Sequence, residues 1–194
     1  MIECAVYLLL TYLLASIPTG PILASLYADV DVTQHGSGNI GATNVHRVLG
    51  PQFGVATLLG DVIKGFLPVW IAPLAADADW FPAVVGIVAF IGHCWPAYLE
   101  FRGGKGVATI AGVLLGLSPL VTLFAATAWM GAFLAFKRSS VAALVAAASV
   151  PLLMVALMPD MTWAGVILSL GLVQRHRDNI RRMMSGEEPP TNSR

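Results

Sequence analysis

Six apolar runs, separated by short polar punctuation, limit what this chain can fold into more than any other feature. They cover residues 2–27, 53–76, 81–99, 107–136, 140–158 and 161–174. A helix that crosses a bilayer needs about 20 apolar residues, with a range of about 17–25. The run 107–136 is too long for one pass and short for two. Its Ser118-Pro119 pair supplies a break, because proline disfavours helix in the residue before it. Composition closes off the soluble alternative. Hydrophobic residues make up 57% of the chain and charged ones 11%, against about 25% charged in ordinary soluble domains. The sequence therefore predicts an all-α, polytopic integral membrane protein. Residues 1–27 are read as a retained first helix and not a signal peptide, since Glu3 stands where a basic n-region would be.

Charge sets the expected orientation. Arg47; Arg102 and Lys105; Lys137 and Arg138; and Arg175, Arg177, Arg181 and Arg182 mark four places along the chain. The opposite gaps carry Asp77, Asp79 and Asp160 and no basic residue. Basic loops stay in the cytoplasm, so an even number of crossings must separate the two basic flanks of 107–136. This counts about seven spans, some of them short, with five as the fallback. The N-terminus is expected outside and the C-terminus in the cytoplasm. Residues 1–182 form a single transmembrane domain in this reading, and 183–194 a mobile tail. Cys4 and Cys94 have no CxxC spacing and no His/Cys/Asp/Glu cluster has metal spacing, so no disulfide framework or metal is expected.

Three polar stretches then fall on the cytoplasmic side: SGNIGATNVHRVLG (37–50), FRGGKGVAT (101–109) and QRHRDNIRR (174–182), with KRSS (137–140) beside them. Gly103, Gly104 and Gly106 around Lys105 make a backbone that turns freely and offers N–H groups. Thr109 adds a hydroxyl at the start of the following helix. This is chemistry for an anion, most simply a phosphate. It is no nucleotide P-loop, because Gly106 stands where Ser or Thr should follow the lysine. GSGNIG (36–41) matches a dinucleotide fingerprint only in its letters, since no βαβ unit surrounds it. Ser37, Gly38, Asn39, Thr43 and Asn44 supply hydrogen-bonding groups, and Arg47 a planar fork suited to phosphate. Some of these polar side chains, Asn44 above all, are expected to satisfy the segment's own backbone. His176 and Asn179 share a face of a helical extension. Asp61 and Lys64, three residues apart inside an apolar run, read as a neutralising pair, and His93 as a hydrogen-bonded interfacial histidine.

SGN-x-GATN-x-x-R, GGKGVAT and RHRDNIRR together resemble the bacterial membrane-integral glycerol-3-phosphate acyltransferases that use acyl phosphate, over essentially the whole chain. The resemblance implies transfer of a fatty acyl group from acyl phosphate to the 1-hydroxyl of glycerol 3-phosphate, giving lysophosphatidic acid and phosphate. It implies catalytic roles for Ser37, Arg47, Lys105 and His176. Substrate binding would fall to Gly38, Asn39, Gly103, Gly104, Gly106, Thr109, Ser140 and Asn179. The site would face the cytoplasm from the bacterial inner membrane, with membrane lipids as surroundings and no cofactor or nucleic-acid partner. Acyl phosphate is already activated, so no covalent serine intermediate is needed. No H-x-x-x-x-D pattern occurs either: the fifth residue after His35, His46, His93 and His176 is Ile40, Pro51, Tyr98 and Arg181. The hydroxyl proton would pass to His176 or to the donor's own phosphate. The rival class is a transporter of phosphate or an organic phosphate. Against it, the polar motifs sit on one side of the membrane and no internal repeat is visible.

Overall fold

A computed structural model describes residues 2–191, which are helical with no strand among them. The tail residues 192–194 of the sequence reading lie outside the described residues, as does Met1. The helices fall into two compact units, one ending at Leu117 and the other beginning at Ser118. The break anticipated at Ser118-Pro119 is where one helix ends and the next starts.

The first unit holds α1 (Ile2–Ala15), α2 (Thr19–Ala28), α3 (Ala42–Leu49), α4 (Pro51–Ile71), α5 (Phe81–Cys94) and α6 (Val107–Leu117). The run 2–27 is thus not one regular helix. Pro18 cannot donate to the ladder and pushes Ile17 out of helical geometry, so the chain breaks between Ala15 and Thr19. The carbonyl of Ile17 then accepts from the Thr19 N–H at 3.1 Å and from Lys64 Nζ at 2.8 Å. α4 runs through the middle of the unit and packs on α3, α5 and α6. Small residues let those helices come close: a Cβ at Gly65 would strike the Thr109 backbone, and one at Gly112 the Val62 carbonyl. The short α3 is held by a small core of Ala24, Val32 and Val45, flanked by Val48, Leu49 and Phe53.

The second unit holds α7 (Pro119–Phe136), α8 (Ser139–Leu157), α9 (Thr162–Arg175) and α10 (Arg177–Met184). Ser118 caps α7 by accepting from the Val121 N–H, and Lys137 ends it in the left-handed region. Across the described residues, five helical segments are long and apolar enough to cross a membrane: Ile2–Ala28, Pro51–Leu74, Phe81–Leu99, Pro119–Phe136 and Ser139–Leu157. The two remaining runs of the seven-span count form the shorter α6 and α9, of 11 and 14 residues. Large apolar side chains such as Leu9, Leu59, Leu123 and Leu152 are exposed, as a lipid-facing surface requires.

Candidate active site

The polar stretch after α2 is ordered by one side chain. Asn44, buried in the first turn of α3, accepts from the Ser37 N–H at 2.8 Å. It donates to the carbonyls of Val32 and His35 at 2.9 and 3.0 Å. Three of the four hydrogen-bonding positions of its amide are thus met by the loop wrapped around it. The backbone-satisfying role expected for Asn44 is therefore present. Asn39 does the same on a smaller scale, accepting from the Gly41 N–H at 2.9 Å where α3 begins. Ser37 and Gly38 are exposed and Asn39 half-buried. Gly36 and Gly38 have φ of 61° and 69°, which brings Ser37 round to α3. Half-buried Arg47 follows one turn after Thr43, its stem beside Gly36.

The second stretch leaves α5 through Glu100 and Phe101, both at positive φ, and enters α6 through Gly106 at φ 80°. Between them the Gly103 N–H donates to the Cys94 carbonyl and the Gly104 N–H to the His93 carbonyl, each at 3.2 Å. The loop is pressed so closely onto the end of α5 that a Cβ at Gly104 would be driven into His93 Nε2, and one at Gly106 into the Phe90 ring. Lys105 stands half-buried between these glycines. Thr109 is fully buried against α4, and its hydroxyl has no hydrogen-bond partner among the described residues. Beneath the loop, Asp61 and Lys64 form the pair expected from their spacing, at 2.9 Å.

In the second unit the last motif is a hinge between two helices. His176 separates α9 from α10, and its Nδ1 lies 2.9 Å from the Leu172 carbonyl. A carbonyl can only accept, so Nδ1 carries the proton and, in the neutral ring, Nε2 keeps the lone pair. His176 and Asn179 are both buried while Arg177 and Asp178 are exposed, in keeping with a shared face. Ser140, in the first turn of α8, and Asn179 meet on a third residue. Ser140 Oγ donates to Glu188 Oε1 at 2.6 Å, and Asn179 Nδ2 to the same oxygen at 2.7 Å. Arg182 Nε donates to Oε2 at 2.8 Å, and Arg138 Nε to the Glu188 backbone carbonyl at 2.8 Å. Burial pushes the Glu188 carboxyl up, but the hydrogen bonds from Ser140, Asn179 and Arg182 outweigh it and hold the group below its ordinary value.

Residues 5–186 match the family model described as glycerol-3-phosphate acyltransferase. The chain belongs to the glycerol-3-phosphate acyltransferase family. A relative of that name from Geobacter sulfurreducens is 44% identical over 91% of this chain and 92% of its own length. Another, from Dechloromonas aromatica, is 40% identical over 99% and 98%. The fold matches the crystal structure of PlsY, described as an integral membrane glycerol 3-phosphate acyltransferase, in its glycerol 3-phosphate form. The TM-score is 0.91 and the identity 36%, over 96% of this chain and 94% of that one. The lysophosphatidic acid form of the same protein matches with a TM-score of 0.90 and the same identity and coverage.

For this acyltransferase one buried side chain escaped the sequence motifs. Glu188 sits in GEEPP, a stretch read as part of a mobile tail, yet it is only 6% exposed and gathers donors from α8 and α10. The Thr191 hydroxyl accepts from the Ser139 N–H at 2.8 Å, so residues 187–191 run back along the start of α8. The available signal was weak: two acids separated by four residues from Arg181 and Arg182, with Gly186 at φ 75° to turn the chain just before them.

Proposed function

We propose that this acyltransferase takes its acyl group from acyl phosphate and transfers it to the 1-hydroxyl of glycerol 3-phosphate at the cytoplasmic face of the bacterial inner membrane. Lysophosphatidic acid and inorganic phosphate are the products. One observation carries this reading: a protein of the same fold over 96% of the chain exists in a glycerol 3-phosphate form and a lysophosphatidic acid form. Substrate and product of the reaction are thus both held by one architecture. No corresponding observation supports the transporter alternative.

In the proposed reaction the glycerol 1-oxygen attacks the acyl carbon, the bond from that carbon to the phosphate oxygen breaks, and the phosphate leaves with the electron pair. Arg47 and Lys105 offset the charge on the two phosphates, and the Gly103–Gly106 backbone, whose Gly103 and Gly104 N–H groups are spent on the end of α5, shapes the loop that receives the glycerol phosphate. Gly36 lies against the Arg47 stem, and Ser37, Gly38 and Asn39, next along the chain, help to seat phosphate oxygens. In the second unit, Ser140 and Asn179 are held on Glu188, and His176 on the Leu172 carbonyl. Thr109 is fully buried where the backbone of α6 packs closely on α4 at Gly65. The hydroxyl proton passes to the departing phosphate. Support for that step comes from Glu188, whose two oxygens are already engaged by Ser140, Asn179 and Arg182 and so are poorly placed as a base. His176 Nε2 is then an orienting group. If His176→Gln lowered kcat about 100-fold or more at every pH between 6 and 8 while leaving substrate KM values intact, the histidine would be the base instead.

The deciding experiment offers purified, detergent-solubilised protein three donors, palmitoyl phosphate, palmitoyl-CoA and palmitoyl acyl carrier protein, with labelled glycerol 3-phosphate. Lysophosphatidate is expected from the acyl phosphate alone, and loss of it in Lys105→Met. Product from a thioester would overturn the donor assignment. Absence of product from all three, with uptake of label into sealed vesicles, would revive transport.

A further inference from the structure

Three ionisable side chains in the first unit are buried and have no part in the proposed reaction: Asp61, Lys64 and His93, exposed by 3, 5 and 3%. Two of them account for each other. Lys64 Nζ pairs with Asp61 Oδ1 at 2.9 Å and completes itself on the Ile17 carbonyl. A charge removed from water needs such a partner. His93 is not needed for that balance. Its Nδ1 nonetheless lies 3.7 Å from the same Asp61 oxygen, with no hydrogen bond of its own. On the other side of the ring, Nε2 occupies the space that a Cβ at Gly104 would take, and the His93 carbonyl accepts the Gly104 N–H.

A loop with three glycines in four residues has little conformational preference of its own. What it rests on must supply its shape. From this contact geometry we infer that His93, faced by Asp61, is the positioning residue on which the Gly103–Gly106 loop is seated, so that it sets where Lys105 stands without touching substrate. The inference rests on the reading of that loop as the glycerol phosphate site. Gly104 is required at its place because the imidazole fills the position of a side chain. Lys105, one residue on, inherits its location from this contact. A misplacement of about 1 Å at such a group costs about 100-fold in rate.

The test is a double-mutant cycle on the full-length, detergent-solubilised enzyme with His93→Ala, Gly104→Ala and the two combined, together with Asp61→Asn. Kinetics with acyl phosphate and glycerol 3-phosphate are read beside amide exchange over residues 101–108. His93→Ala is expected to raise KM for glycerol 3-phosphate about 10- to 100-fold, to leave KM for acyl phosphate unchanged, and to speed exchange at Gly103 and Gly104. Asp61→Asn should do the same to a smaller degree. Gly104→Ala should be severely impaired alone and partly rescued when the imidazole is removed. Independent, multiplying effects in the cycle would overturn the inference, as would equal increases in both KM values or unchanged exchange in the single mutants. A wild type that makes no product would refute the functional reading instead, and the exchange data would still decide whether His93 seats the loop. If His93→Ala does not fold, Asp61→Asn supplies the exchange measurement.

Discussion

The two units place their polar groups by opposite means. In the first, the Gly103–Gly106 segment is positioned by backbone against α5, with side chains absent where contact is closest. In the second, Ser140 and Asn179 are positioned by hydrogen bonds from their side chains to one carboxylate contributed from far along the chain. Close seating of this kind tolerates almost no added atom. Carboxylate seating tolerates changes of shape but depends on charge. Each unit should therefore fail in its own way.

The largest expected effect lies in the first unit. Lys105→Met removes a charged donor worth about 1.5–3 kcal/mol, which corresponds to about a 10- to 150-fold loss in kcat/KM for glycerol 3-phosphate. A loss below threefold would break the comparison, since the glycine loop would then be seated for no catalytic purpose. Next comes Glu188. Replacement by Ala strips the shared acceptor from Ser140, Asn179 and Arg182 and should cost about 1–3 kcal/mol of stability. Glu188→Gln keeps one acceptor oxygen and should cost less. Thermal melts of the purified variants would check the order Ala below Gln below wild type, and an unchanged melt in both would remove the carboxylate from its organising role.

Asn44→Ala should have a smaller effect, about 1–2 kcal/mol, because only part of the loop it holds is buried. Limited proteolysis within 30–38 is the sensitive assay, and resistance equal to wild type would contradict the hydrogen-bond arrangement. The smallest effect is the pH dependence. Glu188 titrates below its ordinary value in the folded protein, so the unfolded chain binds its proton first as pH falls. Its contribution is complete above the ordinary glutamate range and declines as pH drops through that range toward the lower folded value. Melting temperatures measured downward from pH 6 should show an acid-side loss that is shallower in Glu188→Gln. Equal slopes in the two proteins would sever stability from this carboxylate.

What could be read from the sequence follows the same division. GGKG and the Asn-rich stretch declared themselves because glycine, and amides beside glycine, have few reasons to accumulate between apolar runs other than backbone geometry. The pairing of Asp61 with Lys64 was legible because helical spacing alone brings them together. Glu188 was not legible. Its partners Ser140 and Asn179 lie 48 and 9 residues away, and no local pattern connects them. The break at Ser118-Pro119 was visible in the proline, whereas Pro18 was passed over inside a run that looked continuous. Span number proved hardest to read, because α6 and α9, of 11 and 14 residues, fall short of the usual spanning length.

The bond from Lys64 back to Ile17 also bears on synthesis. A chain made from its N-terminus releases α1 and its proline break first, then α4 with Asp61 and Lys64 already one turn apart. By the time these two charges leave the ribosome, each has its partner or an earlier carbonyl at hand, and neither must wait in lipid alone. His93 arrives afterwards with α5, and the glycine loop directly behind it. The order of translation is thus also an order of neutralisation, and the glycine loop is laid down onto a foundation whose charges are already settled.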